Sequence, residues 1–191
     1  MKKIILITLS LIMVISGLYY ITLTKKYEFG EVIDTFNGVN VYYNGNVRTV
    51  KGTHTSNDGY YFGLKYQCVE FVKRYYYQHL NHKMPNVYGH AKDFFNYNLS
   101  DGQLNIDRNL IQYNNPSKLK PQVNDLVIFK PNHLSKYGHV AIISKVKNNK
   151  VELVHQNSGI KPRTRIKYKL INNNDNWKID SNRIVGWLRK I

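Results

Sequence analysis

From Ile4 to Leu23 the chain carries an almost unbroken apolar run, preceded by Lys2 and Lys3 and closed by Lys25 and Lys26. About twenty apolar or small residues suffice to cross the hydrocarbon core of a bilayer as a helix. The run lacks a polar face, which argues against an ordinary core helix. Its one small pair, Ser16-Gly17, gives no Ala-x-Ala cleavage pattern. Residues 1–24 are therefore expected to form an uncleaved signal anchor, a transmembrane helix, with residues 25–35 as a short stalk and 36–191 as a domain outside the cytoplasm. Cleavage would instead leave that domain secreted. Lysines on both flanks weaken the orientation bias. With no Cys in the segment, lipid attachment through a processed N-terminal Cys is excluded.

Beyond the anchor the periodicity changes. Gly38 to Tyr43 alternates and reads as a strand, closed by a turn at Asn44-Gly45. Lys51 to Tyr60 is rich in Gly, Asn and Asp and reads as a loop. Gln67 to Leu80 gives the best helix, because Val69, Val72, Tyr76 and Leu80 recur at three- and four-residue steps; Asn81 can end it. A weaker helix is centred on Ala91 to Phe95. Asp101 to Gln122 is polar and Asn-rich and reads as a surface excursion. Four strands follow: Leu126 to Lys130, His139 to Val146, Lys150 to Gln156 and Ile184 to Arg189. Asn148-Asn149 marks a hairpin turn between the second and third. Helix first, strands afterwards, is an α+β order rather than the alternation of a parallel α/β sheet.

Composition agrees with a folded domain. Of 191 residues, 42% are hydrophobic and 13% aromatic, enough to bury a core against chain entropy. The net charge of +16 concentrates polyanions near the surface. For an exported domain these are anionic cell-wall polymers or lipid headgroups. No nucleic-acid-binding motif is present, and charge by itself reads no sequence, so no specific nucleic acid is expected.

The single cysteine, Cys68, excludes an intramolecular disulfide. It falls at the start of the best helix, where free N–H groups and the helix dipole stabilise a thiolate and an oxyanion. It also shares a helix face with Val72 and Tyr75, which leaves a buried spectator open. A cysteine nucleophile needs a base. His139, opening an apolar strand directly after Gly138, is the candidate, against the plainer reading of a satisfied core histidine. His155 and Asn157 lie two apart on a following strand, where an Asn or a carboxylate would orient the base through its second nitrogen. Register decides whether they can. A plain two-residue turn at Asn148-Asn149 puts His139 and His155 on opposite faces. An odd loop or a bulge puts His139, His155 and Asn157 on one face, with Asn157 the nearer. His79, His82 and His90 lack the carboxylates or thiols of a metal set, so no metal or cofactor is expected.

The segment Gly63-Leu64-Lys65-Tyr66-Gln67-Cys68-Val69-Glu70-Phe71-Val72-Lys73-Arg74 resembles the nucleophile motif of CHAP-type cysteine amidases. It is especially similar to the amidase domain of glutathionylspermidine synthetase/amidase. Tyr137-Gly138-His139-Val140-Ala141-Ile142-Ile143 resembles the base motif of that family, and Gln156-Asn157 and Val185-Gly186-Trp187 resemble its later strands. The likeness runs from about Gly38 to Trp187. It implies a papain-like fold of the NlpC/P60-CHAP type, with the Cys helix packed on an antiparallel sheet. It also implies that Cys68 attacks an amide carbonyl, that His139 shuttles the proton, and that Gln67 and the Cys68 N–H form the oxyanion hole. The sequence departs from the family at His155, where a Glu is usual. Three functions follow as expectations. The first is hydrolysis of peptidoglycan peptides by an exported cysteine amidohydrolase. The second is cleavage of a peptide–polyamine amide of the glutathionylspermidine type. The third is a catalytically impaired wall-binding module.

Overall fold

The apolar runs at Leu126–Phe129 and Val140 to Ile143 leave no side for water, and both sides of each are buried. They form the middle of one large sheet. A computed structural model describes residues 10–16, 27–133 and 135–191. Residues 10–16 are helical (α1). Two small hairpins come next: β1 (Val32–Phe36) with β2 (Val39–Tyr42), and β3 (Thr53–Thr55) with β4 (Tyr61–Leu64). Then follow α2 (Cys68–Leu80) and a 3-10 turn at Ala91–Phe94. The remaining strands are β5 (Gln103–Asn105), β6 (Leu110–Asn114), β7 (Leu126–Phe129), β8 (His139–Lys147), β9 (Lys150–Val154), β10 (Arg165–Asn173), β11 (Asn176–Ile179) and β12 (Ile184–Arg189). Among the described residues they make an eight-stranded antiparallel sheet of order β11-β10-β9-β8-β7-β12-β6-β5. The α+β order read from the sequence is thus observed.

Each face of this sheet carries a core. On one, Leu126, Ile128, Val140, Ile142 and Val154 pack with Phe71, Val72, Tyr75 and Tyr76 of α2. On the other, Phe129, Ala141, Ile143, Leu153, Leu170 and Trp187 pack together. The helix is also in contact with β2 and β4, so it lies between the large sheet and the small hairpins. That is why its buried side is wider than one stripe: Glu70, Lys73 and Arg74 are buried as well. Lys73 Nζ offsets its desolvation by donating to the Tyr61 and Val87 carbonyls. Asn81 ends the helix in the left-handed region, φ 47 and ψ 49, and its N–H returns to Tyr76 O.

Two expectations are corrected. The polar stretch 101–122 is not a surface excursion, because it supplies β5 and β6. Its buried polar groups satisfy one another: Asn105 Nδ2 donates to Gln112 Oε1 (3.1 Å) and Gln112 Nε2 to Asn96 O (2.8 Å). Residues 27–35, read as stalk, are part of the folded structure. Gly30 N–H donates to Tyr43 O (2.9 Å), the Tyr27 ring packs on Tyr43, and β1 begins at Val32. The predicted span 1–24 lies outside the described residues except for 10–16, where Leu11, Ile12, Met13, Val14 and Ile15 are exposed. Among the described residues no helix is long and apolar enough to cross a membrane.

Candidate active site

Cys68 is the first residue of α2, behind Gln67 in extended conformation (φ −79, ψ 165). The sulfur lies against the N–H groups of Val140, Val69 and Cys68 itself. Those donors favour a thiolate, as a helix mouth should. Burial outweighs them: Cys68 is 9% exposed, and its pKa is pushed up to about 11, chiefly by desolvation. The lowered pKa expected from the helix position is therefore corrected. The dipole argument is local to the helix mouth, and desolvation is set by everything packed around the sulfur.

His139 opens β8 opposite Phe129. The residue before it has to be Gly. Gly138 adopts φ +74, and a Cβ there would stand 2.6 Å from Phe129 O and 3.2 Å from Lys92 N. The turn between β8 and β9 has two residues, with Asn148 and Asn149 at φ 49 and 54 and Lys147 paired with Lys150. On its own this turn would separate the histidines. A bulge reverses the parity. Lys145 pairs with Glu152, but Ile143 pairs with Leu153 and Ile142 with Val154, so Ser144 has no partner across the ladder. Its hydroxyl caps the bulge on Glu152 O and Oε1, both 3.1 Å. Continuing this register sets Ala141 opposite His155 and brings the two histidines to one face.

There His139 Nε2 and His155 Nδ1 are 3.0 Å apart, with the rings at 89°. His155 is 8% exposed, and its Nε2 is buried with no hydrogen-bond partner. Desolvation pushes the His155 pKa down to about 4. Desolvation, then the positive charges of His155 and Arg183, push that of half-buried His139 down to about 3. No hydrogen bond between Cys68 and His139 is present among the described residues.

Asn157 does not reach His139. It turns into the left-handed region at φ 63, which takes it off the strand. Its Oδ1 accepts from Asn44 Nδ2 (3.0 Å), and its Nδ2 donates to Val47 O (3.1 Å) and to Gln67 Oε1. The Gln67 amide in turn donates to Thr49 O (2.8 Å), so this expected oxyanion donor is engaged with the backbone. The contact with His139 belongs to His155.

Behind the first turn of α2 sits a network that sequence reasoning missed. Glu70 is fully buried; it receives Arg74 Nε (2.6 Å) and Gln156 Nε2 (2.7 Å), and its Oε1 lies 2.7 Å from His54 Nδ1. Burial would raise the Glu70 pKa, but His54 and then Arg74 and Gln156 hold it below the ordinary value. Gln156 Nε2 also donates to Gln67 O (3.2 Å), which ties β9 to the mouth of the helix. The i,i+4 spacing of Glu70 and Arg74 was a readable signal; nothing local pointed to His54. The histidines weighed for a metal part company. His79 meets Asn37 (3.1 Å), His82 Nε2 lies 2.9 Å from Arg108 O, and His90 stacks on Tyr137.

The antiparallel sheet thus carries a histidine pair at the end of β8 and β9, and the backbone of Val140, the residue after His139, meets the sulfur at the helix mouth. The sequence matches the CHAP domain over residues 57–157, just over half of the chain, and the chain belongs to that family, which implies amidase or peptidase chemistry. Over 133 residues it is 28% identical to the trypanothione synthetase of Crithidia fasciculata, covering 69% of this chain and 20% of that protein. The chain thus spans about one fifth of the length of that relative.

Proposed function

We propose that the protein is a membrane-anchored cysteine amidohydrolase of papain-like architecture that cuts peptide amides of the cell wall. The observation that carries this reading is the placement of Cys68 at the mouth of α2, with its sulfur against the backbone of Val140, the residue that follows His139 of the His139–His155 pair. In the base role His139 uses Nδ1, so its Nε2–H donates to His155 Nδ1, and the proton of His155 sits on Nε2. His139 takes the thiol proton as the sulfur attacks the carbonyl, while the Cys68 N–H receives the oxyanion. The C–N bond breaks, the amine takes the proton from His139, and the acyl group remains on sulfur as a thioester. Water then adds with His139 as base; the C–S bond breaks, giving the carboxylic acid and restoring the thiol.

In the resting state the pair is a neutral thiol and a neutral imidazole. A carboxylate in the place of His155 would stabilise an imidazolium; a neutral imidazole does so less. Substrate has to uncover the sulfur, and the segments tied to α2 through Gln67 and Asn157 are the ones that move. The exposed apolar side chains of residues 10–16 support the anchor. Lys147, Lys150 and Lys169 stand in register across β8, β9 and β10, with Lys145 and Lys167 in the next row beside Glu152. All five lysines are exposed, and such a row attracts wall polymers or lipid headgroups.

The likeness to a trypanothione synthetase favours a second reading, hydrolysis of a peptide–polyamine amide. The test sets the purified full chain against isolated cell wall and against glutathionylspermidine. Release of wall peptides, lost in Cys68→Ala, supports the first reading; release of thiol and amine supports the second. Silence on both substrates, with wall binding retained, would leave only a binding module.

A further inference from the structure

We propose that Arg183 receives a carboxylate on the amine half of the substrate, so that the enzyme selects peptide rather than polyamine leaving groups. This deepens the amidohydrolase reading and rests on it for the direction of the substrate. Phe129 pairs with His139 on one side and with Ile184 on the other. Its ring joins the two strands' side chains: His139 stands 5.8 Å from it, and the Arg183 guanidinium lies over it at 5.8 Å. His139 and Phe129 thus lie on the adjacent strands β8 and β7, with His155 just past the end of β9 and Arg183 just before β12. Both His139 and Arg183 keep part of their surface open.

This row offers donors without acceptors. Arg183 Nε is buried with no partner, and its Nη2 makes one long bond, 3.4 Å, to Lys130 O. No carboxylate pairs with Arg183 among the described residues. Two strands beyond Phe129, His155 Nε2, a donor in the tautomer assigned above, is also buried and unpaired. Buried donors almost always have partners, because their lost hydration is otherwise not offset. Desolvation first and His155 second disfavour a proton on His139, and the Arg183 guanidinium adds a smaller push in the same direction. An anion at Arg183 would cancel that effect at the step in which His139 must hold a proton.

The chemistry decides which half of the substrate sits here. His139 hands its proton to the departing amine, so groups flanking His139 on the side away from the sulfur face the amine fragment. A planar fork with free N–H groups matches a carboxylate. A polyamine amine fragment would instead bring cationic charge against Arg183.

The test reads binding, so it does not depend on turnover. Trialanine and trialanine amide are titrated into the full-length Cys68→Ala chain, with the imidazole resonances of His139 and His155 followed by NMR. The acid is expected to bind at least about tenfold more tightly than the amide, as one charge-assisted pair would give. Arg183→Met should bring the two within about twofold, while Arg183→Lys should retain part of the difference. Equal affinity of acid and amide, failure of both to bind, or a preference that survives Arg183→Met would overturn the proposal. Absence of hydrolysis by the native chain would count against the amidohydrolase reading and leave the binding result to stand by itself.

Discussion

His139 Nε2 and His155 Nδ1 are held 3.0 Å apart across β8 and β9, and the contact exists because Ser144 stands outside the ladder. Two imidazoles replace the usual imidazole–carboxylate couple. One of them donates, one accepts, and neither carries charge at rest.

Replacing the second imidazole tests what it does. His155→Glu should raise the His139 pKa from about 3, because a carboxylate favours the imidazolium. NMR titration of the ring measures it directly. His155→Ala leaves Nε2 of His139 unoriented and should lower kcat by about tenfold or more, a fraction of what a positioned base contributes. An unchanged kcat with an unchanged His139 titration would remove His155 from the mechanism.

The same pair makes the fold sensitive to acid. Both folded pKa values, about 3 and about 4, lie below the ordinary 6.5 of histidine. Below that value the unfolded chain binds protons that the folded chain does not. Stability therefore rises with pH through this window and is lost as pH falls toward the folded values. Urea unfolding between about pH 6.5 and 4.5 should show this slope, and His139→Gln/His155→Gln should flatten it. Equal slopes in the native chain and the double variant would contradict the burial of the neutral pair.

Arg74→Met should cost about 3–5 kcal/mol in chemical denaturation, since it strands the buried Glu70 carboxylate. Glu70→Gln/Arg74→Met should be milder, because no uncompensated charge remains. If the single and the double variant are equally destabilised, the loss comes from the Arg74 guanidinium's packing over the Tyr42 and Phe71 rings rather than from the stranded Glu70 charge.

How much of this was legible depends on the range of the signal. The limits of α2 and of β12 follow from local patterning, and so does the left-handed stop at Asn81. By contrast β10, Arg165–Asn173, alternates only over Arg165 to Leu170, with Ile166, Tyr168 and Leu170 on one face, and just one of its nine residues is buried, so its signal is short and was missed. β5 and β6 hide because only Leu110 and Tyr113 supply apolar packing there, while Asn105 and Gln112 fill the remaining interior positions through hydrogen bonds. The histidine pairing was foreseeable only as a condition, an odd loop or a bulge; a one-residue bulge at Ser144 leaves no compositional mark. Asn157 was misplaced for the opposite reason. Its two-residue spacing from His155 has meaning only while the strand continues, but β9 ends at Val154 and the backbone turns left-handed at Asn157. The raised Cys68 pKa lay beyond reach because desolvation reflects tertiary packing around the sulfur, which no local pattern reports.

Gly138→Ala tests the local demand behind His139. The added methyl meets Phe129 O at 2.6 Å, and φ +74 disfavours any Cβ. Backbone at both contacts cannot move aside as a side chain would. A loss of about 1–3 kcal/mol is expected from the strain, together with reduced activity as His139 shifts. Wild-type thermal stability and turnover in this variant would show that the β7–β8 corner is more plastic than its geometry suggests.

The last prediction concerns access to the sulfur. Asn157 ties together three segments, through Asn44, Val47 and Gln67, and Gln67 immediately precedes Cys68. Native alkylation of Cys68 by iodoacetamide should be slow at neutral pH, since the thiol is covered and its pKa is raised to about 11. Asn157→Ala removes the shared tie without touching α2 or β8. It should accelerate alkylation by about tenfold, the factor expected if local opening becomes easier by little more than one hydrogen bond. Stability measured in urea should fall by no more than about 1–2 kcal/mol, which separates local opening from global unfolding. If Asn157→Ala leaves the alkylation rate unchanged, the cover over Cys68 is the sheet itself, and substrate would have to reach the sulfur by another movement.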